Sequence, residues 1–244
     1  MIFCCARCDF HFLSHLDDVR ALSEKTAQLT EQSRRYIETR ANESAQLHPS
    51  RRELIHQITA TKSLKLLDIG AGLGQFQLLL NELGFETEGI EPSRLRRQYA
   101  QEKYSLQLSG ELAESPYWQE NYADYFDIIT LWDVIEHVNF PRETLESAVK
   151  LLKPGGLILL DTPAREVLAY QISQTVFRFS RGNFSLFLPS FYSSAPFGHK
   201  QIFTHAQLTG LFQDLGLTTV YSAQSYGNNP HRGNKIILAG QKER

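Results

Sequence analysis

The chain has 244 residues and a formal net charge of −2, the balance of 27 acidic and 25 basic side chains. That length suits one α/β domain with additions and a sizeable core. The even charge and the lack of a long basic block give no support for a nucleic-acid partner, and none is expected. No apolar run approaches membrane-spanning length, and the N-terminus lacks the basic region and apolar core of a secretory leader. A cytoplasmic protein without a membrane span is the simplest expectation.

All three cysteines, Cys4, Cys5 and Cys8, lie in the first eight residues. Their crowding suits a metal knuckle better than a disulfide framework. A four-coordinate site would also have to recruit Cys4, His11 or His15. The plainer reading of residues 1–15 is a terminal segment with reactive thiols, so zinc is an alternative and no metal ligand is assigned. Residues 16–48 are polar and nearly free of glycine and proline, which predicts one or two covering helices. Pro49 then opens a helix with Leu54, Ile55 and Ile58 on its apolar side, at the start of a domain spanning 49–244.

Leu64, Leu66, Leu67 and Ile69 form a short apolar run of the kind buried on both faces of a parallel sheet. Gly70, Gly72 and Gly74 follow, and Phe76, Leu79, Leu80 and Leu83 then recur at helical spacing up to Gly84. Strand, glycine loop and helix N-terminus make a nucleotide-type pocket. Asp68 precedes the first glycine by two residues, while Gln75 breaks the pyrophosphate fingerprint, so a dinucleotide is disfavoured. Residues 86–90 predict a second strand ending at Glu91, where a carboxylate accepts two hydrogen bonds from a ribose diol. An adenosine ligand fits both features.

Residues 66–74 and Glu91 resemble the first motif and the second-strand acid of class I S-adenosylmethionine-dependent methyltransferases. The resemblance covers most of the chain from about Pro49 to Gly240. It implies an α/β, Rossmann-like fold: a seven-stranded, mostly parallel sheet with one antiparallel strand and helices on both faces. It implies S-adenosyl-L-methionine as cofactor, with Asp68, Gly70, Ala71, Gly72 and Gly74 towards its methionine end and Glu91 and Pro92 at its ribose. Cys5-x-x-Cys8 with Phe10 and Phe12 resembles the second half of the zinc ribbon that precedes some of these domains.

Pro92 and Ser93 start the next helix, and residues 105–108 predict a third strand. In family terms Glu111 stands near the adenine amine and Leu112 beside the ring. Residues 125–131 predict a fourth strand running into Trp132-Asp133-Val134-Ile135-Glu136-His137, at the edge where open α/β sheets bind ligands. This segment resembles the Asp-x-x-Glu-His motif of a branch that includes many small-molecule O-methyltransferases, which adds Trp132 and Asp133 to the cofactor residues. Pro141 begins a helix broken by Lys153-Pro154-Gly155-Gly156, a further resemblance, before a fifth strand at 157–160.

Between about 163 and 200 the alternation lapses, and Phe177, Phe179, Phe184, Phe187, Phe191, Tyr192 and Phe197 are interleaved with proline and serine. A loop of that length is read as a substrate lid with a helix over 165–177, or as an apolar face for a second copy in a homodimer. Thr204 and Gln207 form a capping box for a helix over 204–215. Residues 217–226 and 234–239 supply the last strand pair, with Pro230 and Gly233 between them.

Methyl transfer from a sulfonium is an in-line displacement, so the protein holds donor and acceptor aligned and excludes water. His137 is the candidate general base, and His199, near the lid's return, is a candidate substrate contact. The expected activity is methylation of a small-molecule acceptor, a hydroxyl first, with carbon or nitrogen as alternatives. The contrasting readings are a non-catalytic S-adenosylmethionine-binding or scaffold protein with this fold, and a nicotinamide-dependent oxidoreductase.

Overall fold

The computed structural model describes residues 2–24, 29–59, 64–226 and 233–243. Strands β1 (Ile2–Cys4) and β2 (His11–Leu13) form an antiparallel hairpin. Helices α1 (Val19–Glu24), α2 (Glu31–Ala45) and α3 (His48–Ile58) follow. Thr30 caps α2 by accepting the Ser33 N–H, and Pro49 sits in the first turn of α3, where its missing N–H costs nothing.

The main fold then alternates: β3 (Lys65–Ile69), α4 (Gln75–Asn81), β4 (Glu86–Ile90), α5 (Arg94–Tyr104), α6 (Pro116–Asn121), β5 (Phe126–Trp132), α7 (Pro141–Leu151) and β6 (Leu152–Pro163). After β6 come α8 (Leu168–Phe179), α9 (Leu188–Phe191), β7 (Gln201–Ile202), α10 (His205–Asp214), β8 (Leu217–Ala223) and β9 (Lys235–Lys242). The capping box of Thr204 and Gln207 is present at the start of α10. The expected connection at Pro230 lies outside the described residues.

Six strands pair in the order β4-β3-β5-β6-β9-β8. The pairs among β4, β3, β5 and β6 are parallel, and β9 runs antiparallel to both neighbours. The class is as expected, but the count among the described residues is six rather than seven. The expected third strand at 105–108 is reduced to a single bridge between Ile90 and Ser109. Ser105 is used as the left-handed cap of α5, and Leu106 and Leu108 are spent covering Gly74 and Gly89. Residues 153–156 bulge out of the ladder, since Phe126 pairs with Leu152 and Ile128 already with Leu157.

Neighbouring residues of the central strands go to opposite faces. Ile129, Ile158 and Leu160 join Leu145 and Phe212 on one side, while Ile128, Leu157 and Leu159 join Ile55 and Leu80 on the other. All of these are buried, which accounts for the near-continuous apolar strands. The N-terminal hairpin is not a loose tail: β2 pairs with β7 in a small second sheet, and Leu13 packs with Tyr170, Leu188, Tyr192 and Ile202. The first residues and the segment after β6 therefore share one small core.

Candidate active site

The ends of β3, β4 and β5 open into one cavity of about 870 Å³, a volume suited to a cofactor with a small second molecule. Gly70, Ala71 and Gly72 form its floor, Glu91 and Pro92 one wall, Trp132 and Asp133 the other. The backbone N–H groups of Gly70 and Ala71 donate to the Ile90 carbonyl, at 2.8 and 2.9 Å, which ties the glycine loop to the next strand. Gly72 has φ +61°, and a Cβ there would point into open space, so the loop presents bare backbone to the cavity. Gly74 (φ +70°) instead caps α4, and any Cβ on it would collide with Leu106. It does not line the cavity.

Glu91 is buried, and its carboxylate is held from both sides: Gly72 N–H donates to Oε2 at 2.9 Å and Ser93 N–H to Oε1 at 2.8 Å. Both bonds fix its orientation before any ligand arrives. Asp68 is also buried and accepts the Thr130 hydroxyl at 2.6 Å, while burial pushes its carboxyl up to about 7. Both residues line the cavity.

Beneath the end of β5 lies an ionic network of which the sequence reading named only Asp133. Arg51 of α3 is fully buried, donates to both oxygens of Asp161 at 3.0 Å and reaches Asp133 at 2.7 Å. Its guanidinium stands over the Trp132 ring, 5.1 Å from the centroid. Lys235 bonds to Asp133 and lies 3.1 Å from Asp161, and the Tyr226 hydroxyl donates to Asp161 at 2.5 Å. Burial works against the Asp133 charge, but Lys235 and Arg51 outweigh it and hold the carboxyl below its ordinary range. A charged carboxylate is thus pinned at the cavity wall. The run Leu159-Leu160-Asp161 repeats the strand-then-acid pattern of Asp68 and was the available signal; Arg51, beside Arg52 on a polar helix, offered none.

The next turn carries Glu136 and His137. Glu136 is fully buried, and neither carboxyl oxygen has a hydrogen-bond partner among the described residues. Burial, with Asp133 nearby, pushes it up to about 8. His137 Nε2 lies 4.0 Å from Glu136 Oε1, and the His137 and His199 rings meet edge to face with centroids 4.6 Å apart. Burial and the facing His199 bring His137 down to about 4, and burial lowers His199. Both rings are therefore neutral near pH 7 and able to accept a proton. Both line the cavity, so the two histidines named from the sequence meet in space.

Other expected residues are placed differently. Glu111 is exposed and does not line the cavity; Glu114, whose carboxylate receives the Thr144 hydroxyl, does so with Leu112 and Ala113. The irregular stretch 109–115 carries no period from which that three-residue offset was legible. Of the seven aromatics expected on the lid, Phe197 lines the cavity. Phe191 and Tyr192 pack inward, whereas Phe177, Phe179, Phe184 and Phe187 are exposed. The lid helix begins three residues later than expected. The end of the 163–200 segment is anchored by Lys200, buried 3.1 Å from Asp17, which also accepts the Phe197 N–H at 2.9 Å.

Among the described residues two groups of side chains bring possible metal-ligand atoms within 4.8 Å: Glu136 with His137 and His199, and Cys4 with Asp9 and His11. In the second, Arg165 and Arg178 already neutralise Asp9, which opposes a divalent cation. Cys5 and Cys8 belong to neither group, so the structure gives the half-ribbon pattern no completed ligand set among the described residues.

A glycine loop facing open space, a preoriented acid one strand away and a histidine pair at the third strand end define an adenosine-cofactor transferase site. A family model described as a methyltransferase domain matches residues 34–222. The chain belongs to this methyltransferase family, whose cofactor is S-adenosyl-L-methionine. Ubiquinone biosynthesis O-methyltransferase of Nitrosococcus oceani is 30% identical over 128 residues, 51% of this chain and 54% of that protein. The mitochondrial enzyme of the same description from Schizosaccharomyces pombe is 29% identical over 128 residues, 51% of this chain and 47% of that protein. The chain thus spans about half the length of the curated relatives it matches. Among solved structures, a Methanosarcina mazei S-adenosylmethionine-dependent methyltransferase gives a TM-score of 0.60 at 17% identity, covering 78% of this chain and 97% of that one. Burkholderia thailandensis 1,6-didemethyltoxoflavin-N1-methyltransferase gives 0.57 at 13% identity, covering 98% of each chain. These two show the fold.

Proposed function

We propose that the protein transfers a methyl group from S-adenosyl-L-methionine to a hydroxyl oxygen of a small molecule, with His137 as general base. The observation that carries this reading is the neutral His137 at the cavity wall, 4.0 Å from a buried carboxyl and in contact with His199. The O-methyltransferase description of the curated relatives supports the choice of a hydroxyl.

The residues present fit the cofactor. Gly70, Ala71 and Gly72 supply backbone without side-chain obstruction, Glu91 a preoriented acceptor for a ribose diol, and Leu112 with Ala113 an apolar wall. Asp68 and Asp133 would face the amino-acid end of the ligand. When bound, S-adenosylmethionine supplies an electrophilic methyl group on a sulfonium. His137 takes the acceptor's hydroxyl proton as the oxygen attacks the methyl carbon, so the attacking atom does not carry its proton into the product. The imidazolium that forms lies 4.0 Å from the Glu136 carboxyl. His199 and Phe197 close the acceptor side and exclude water.

The test is turnover with labelled S-adenosylmethionine across a panel of phenolic and aliphatic hydroxyl acceptors. Replacing His137 by Ala should lower kcat by about a hundredfold and leave S-adenosylhomocysteine affinity nearly unchanged. Unaltered kcat at saturating acceptor would remove the base role.

A further inference from the structure

Helix α8 is apolar on two sides but buries only one of them. Tyr170 and Ser173 face inward and are buried. Leu168, Ile172 and Phe179 lie on the outer stripe at helical spacing, with Leu168 71% and Phe179 86% exposed. The turn that follows adds Phe184, 65% exposed, with Leu186 and Phe187. This turn is built to present them: Gly182 N–H donates to the Phe177 carbonyl, Phe184 N–H to Ser180 Oγ and Phe187 N–H to Ser173 Oγ. Six exposed apolar side chains, Leu168, Ile172, Phe179, Phe184, Leu186 and Phe187, on one helix and the turn after it mark an interaction site.

Charge says what covers it. From 167 to 213 the sequence contains no aspartate or glutamate, in a chain whose net charge is −2. Arg178 on α8 and Arg181 in the turn are exposed in the same stretch of chain. Asp9 approaches Arg178 at 3.5 Å and is shared with Arg165 at its other oxygen, and Glu166 at the helix entry accepts the His205 N–H. The neighbourhood therefore carries three arginines against two acids, and the aromatic surface itself only arginine. A second copy would meet this face with the same face, because a two-fold interface is self-complementary. Arginine would then confront arginine with no carboxylate of the patch between them. A bilayer with anionic headgroups accepts both parts: aromatic and aliphatic side chains enter the interface, and arginines meet phosphates.

We propose that the outer face of α8 and the 180–187 turn form a peripheral docking surface for an anionic lipid bilayer. Among the described residues no helix is long and apolar enough to cross a membrane, so the association is with the surface only. The same segment continues to Phe197 and His199 at the cavity. The proposal does not depend on which atom is methylated.

The experiment is co-sedimentation of the full chain with vesicles of phosphatidylcholine alone or mixed with phosphatidylglycerol, alongside sedimentation velocity without lipid. Wild-type protein should partition onto the anionic vesicles. The exposed double variant Phe179→Ser with Phe184→Ser should partition roughly tenfold less, while keeping its thermal stabilisation by S-adenosylhomocysteine, which shows that it is folded. Arg181→Glu should remove the preference for phosphatidylglycerol. No sedimentation with anionic vesicles would overturn the proposal. A lipid-free dimer that the phenylalanine variant dissociates would also overturn it, in favour of a second copy.

Discussion

Glu136 combines complete burial with two carboxyl oxygens that lack partners among the described residues, and burial sets its carboxyl up to about 8 against an ordinary 4.5. The folded chain therefore holds a proton that the unfolded chain releases, and stability present below the unfolded value is lost as pH rises through about 8. Asp68, raised to about 7, acts in the same direction. His137, lowered from 6.5 to about 4, adds stability as pH rises but only below about 6.5. Between about pH 6.5 and about pH 8 the carboxyl groups decide the slope, so the melting temperature should fall across that window. Glu136→Gln should flatten the fall, each kcal/mol recovered appearing as about 2–4 °C. Equal slopes for both proteins in a pH series of melting curves would contradict this assignment.

At the same scale, Asp68, Glu91, Asp133 and His137 were legible because each stands at or just beyond the end of an apolar strand, where a polar residue has little structural reason to be. Arg51 and Lys235 were not. Each looks like an ordinary surface base until three separate elements bring Asp133 and Asp161 to them.

Among the elements, those defined by period and punctuation were visible in advance, from β3 and α4 to the capping box of α10. What could not be read was pairing at a distance: β2 with β7, and the loss of the third strand to helix capping and glycine covering. The hairpin and the segment after β6 brace one another, through Leu13 against Tyr170 and Asp17 against Lys200. Lys200 and Asp17 are almost wholly buried, so removing one charge strands the other. Asp17→Asn should cost about 3 kcal/mol or more and speed limited proteolysis within 163–200. Unchanged melting temperature and cleavage rate would show that this pair does not anchor the lid.

For the whole molecule, a mostly parallel sheet with one antiparallel strand places three strand ends around one cavity, and the family match over 34–222 makes that cavity a methyl-donor pocket. On the far side of the cavity the sequence named His199 and the aromatic segment, but not which of its aromatics reaches the cavity, because irregular chain has no period to single out Phe197. The donor half is the central claim, and Glu91 is its most exacting point, held by the Gly72 and Ser93 N–H groups. The direct measurement is calorimetric titration with S-adenosylhomocysteine of wild-type protein and of Glu91→Ala, with NAD as the competing ligand. The expectation is one saturable site in the wild type, loss of that binding in the variant with the fold intact by circular dichroism, and no heat with NAD. Unchanged affinity in Glu91→Ala, or binding of NAD alone, would contradict it.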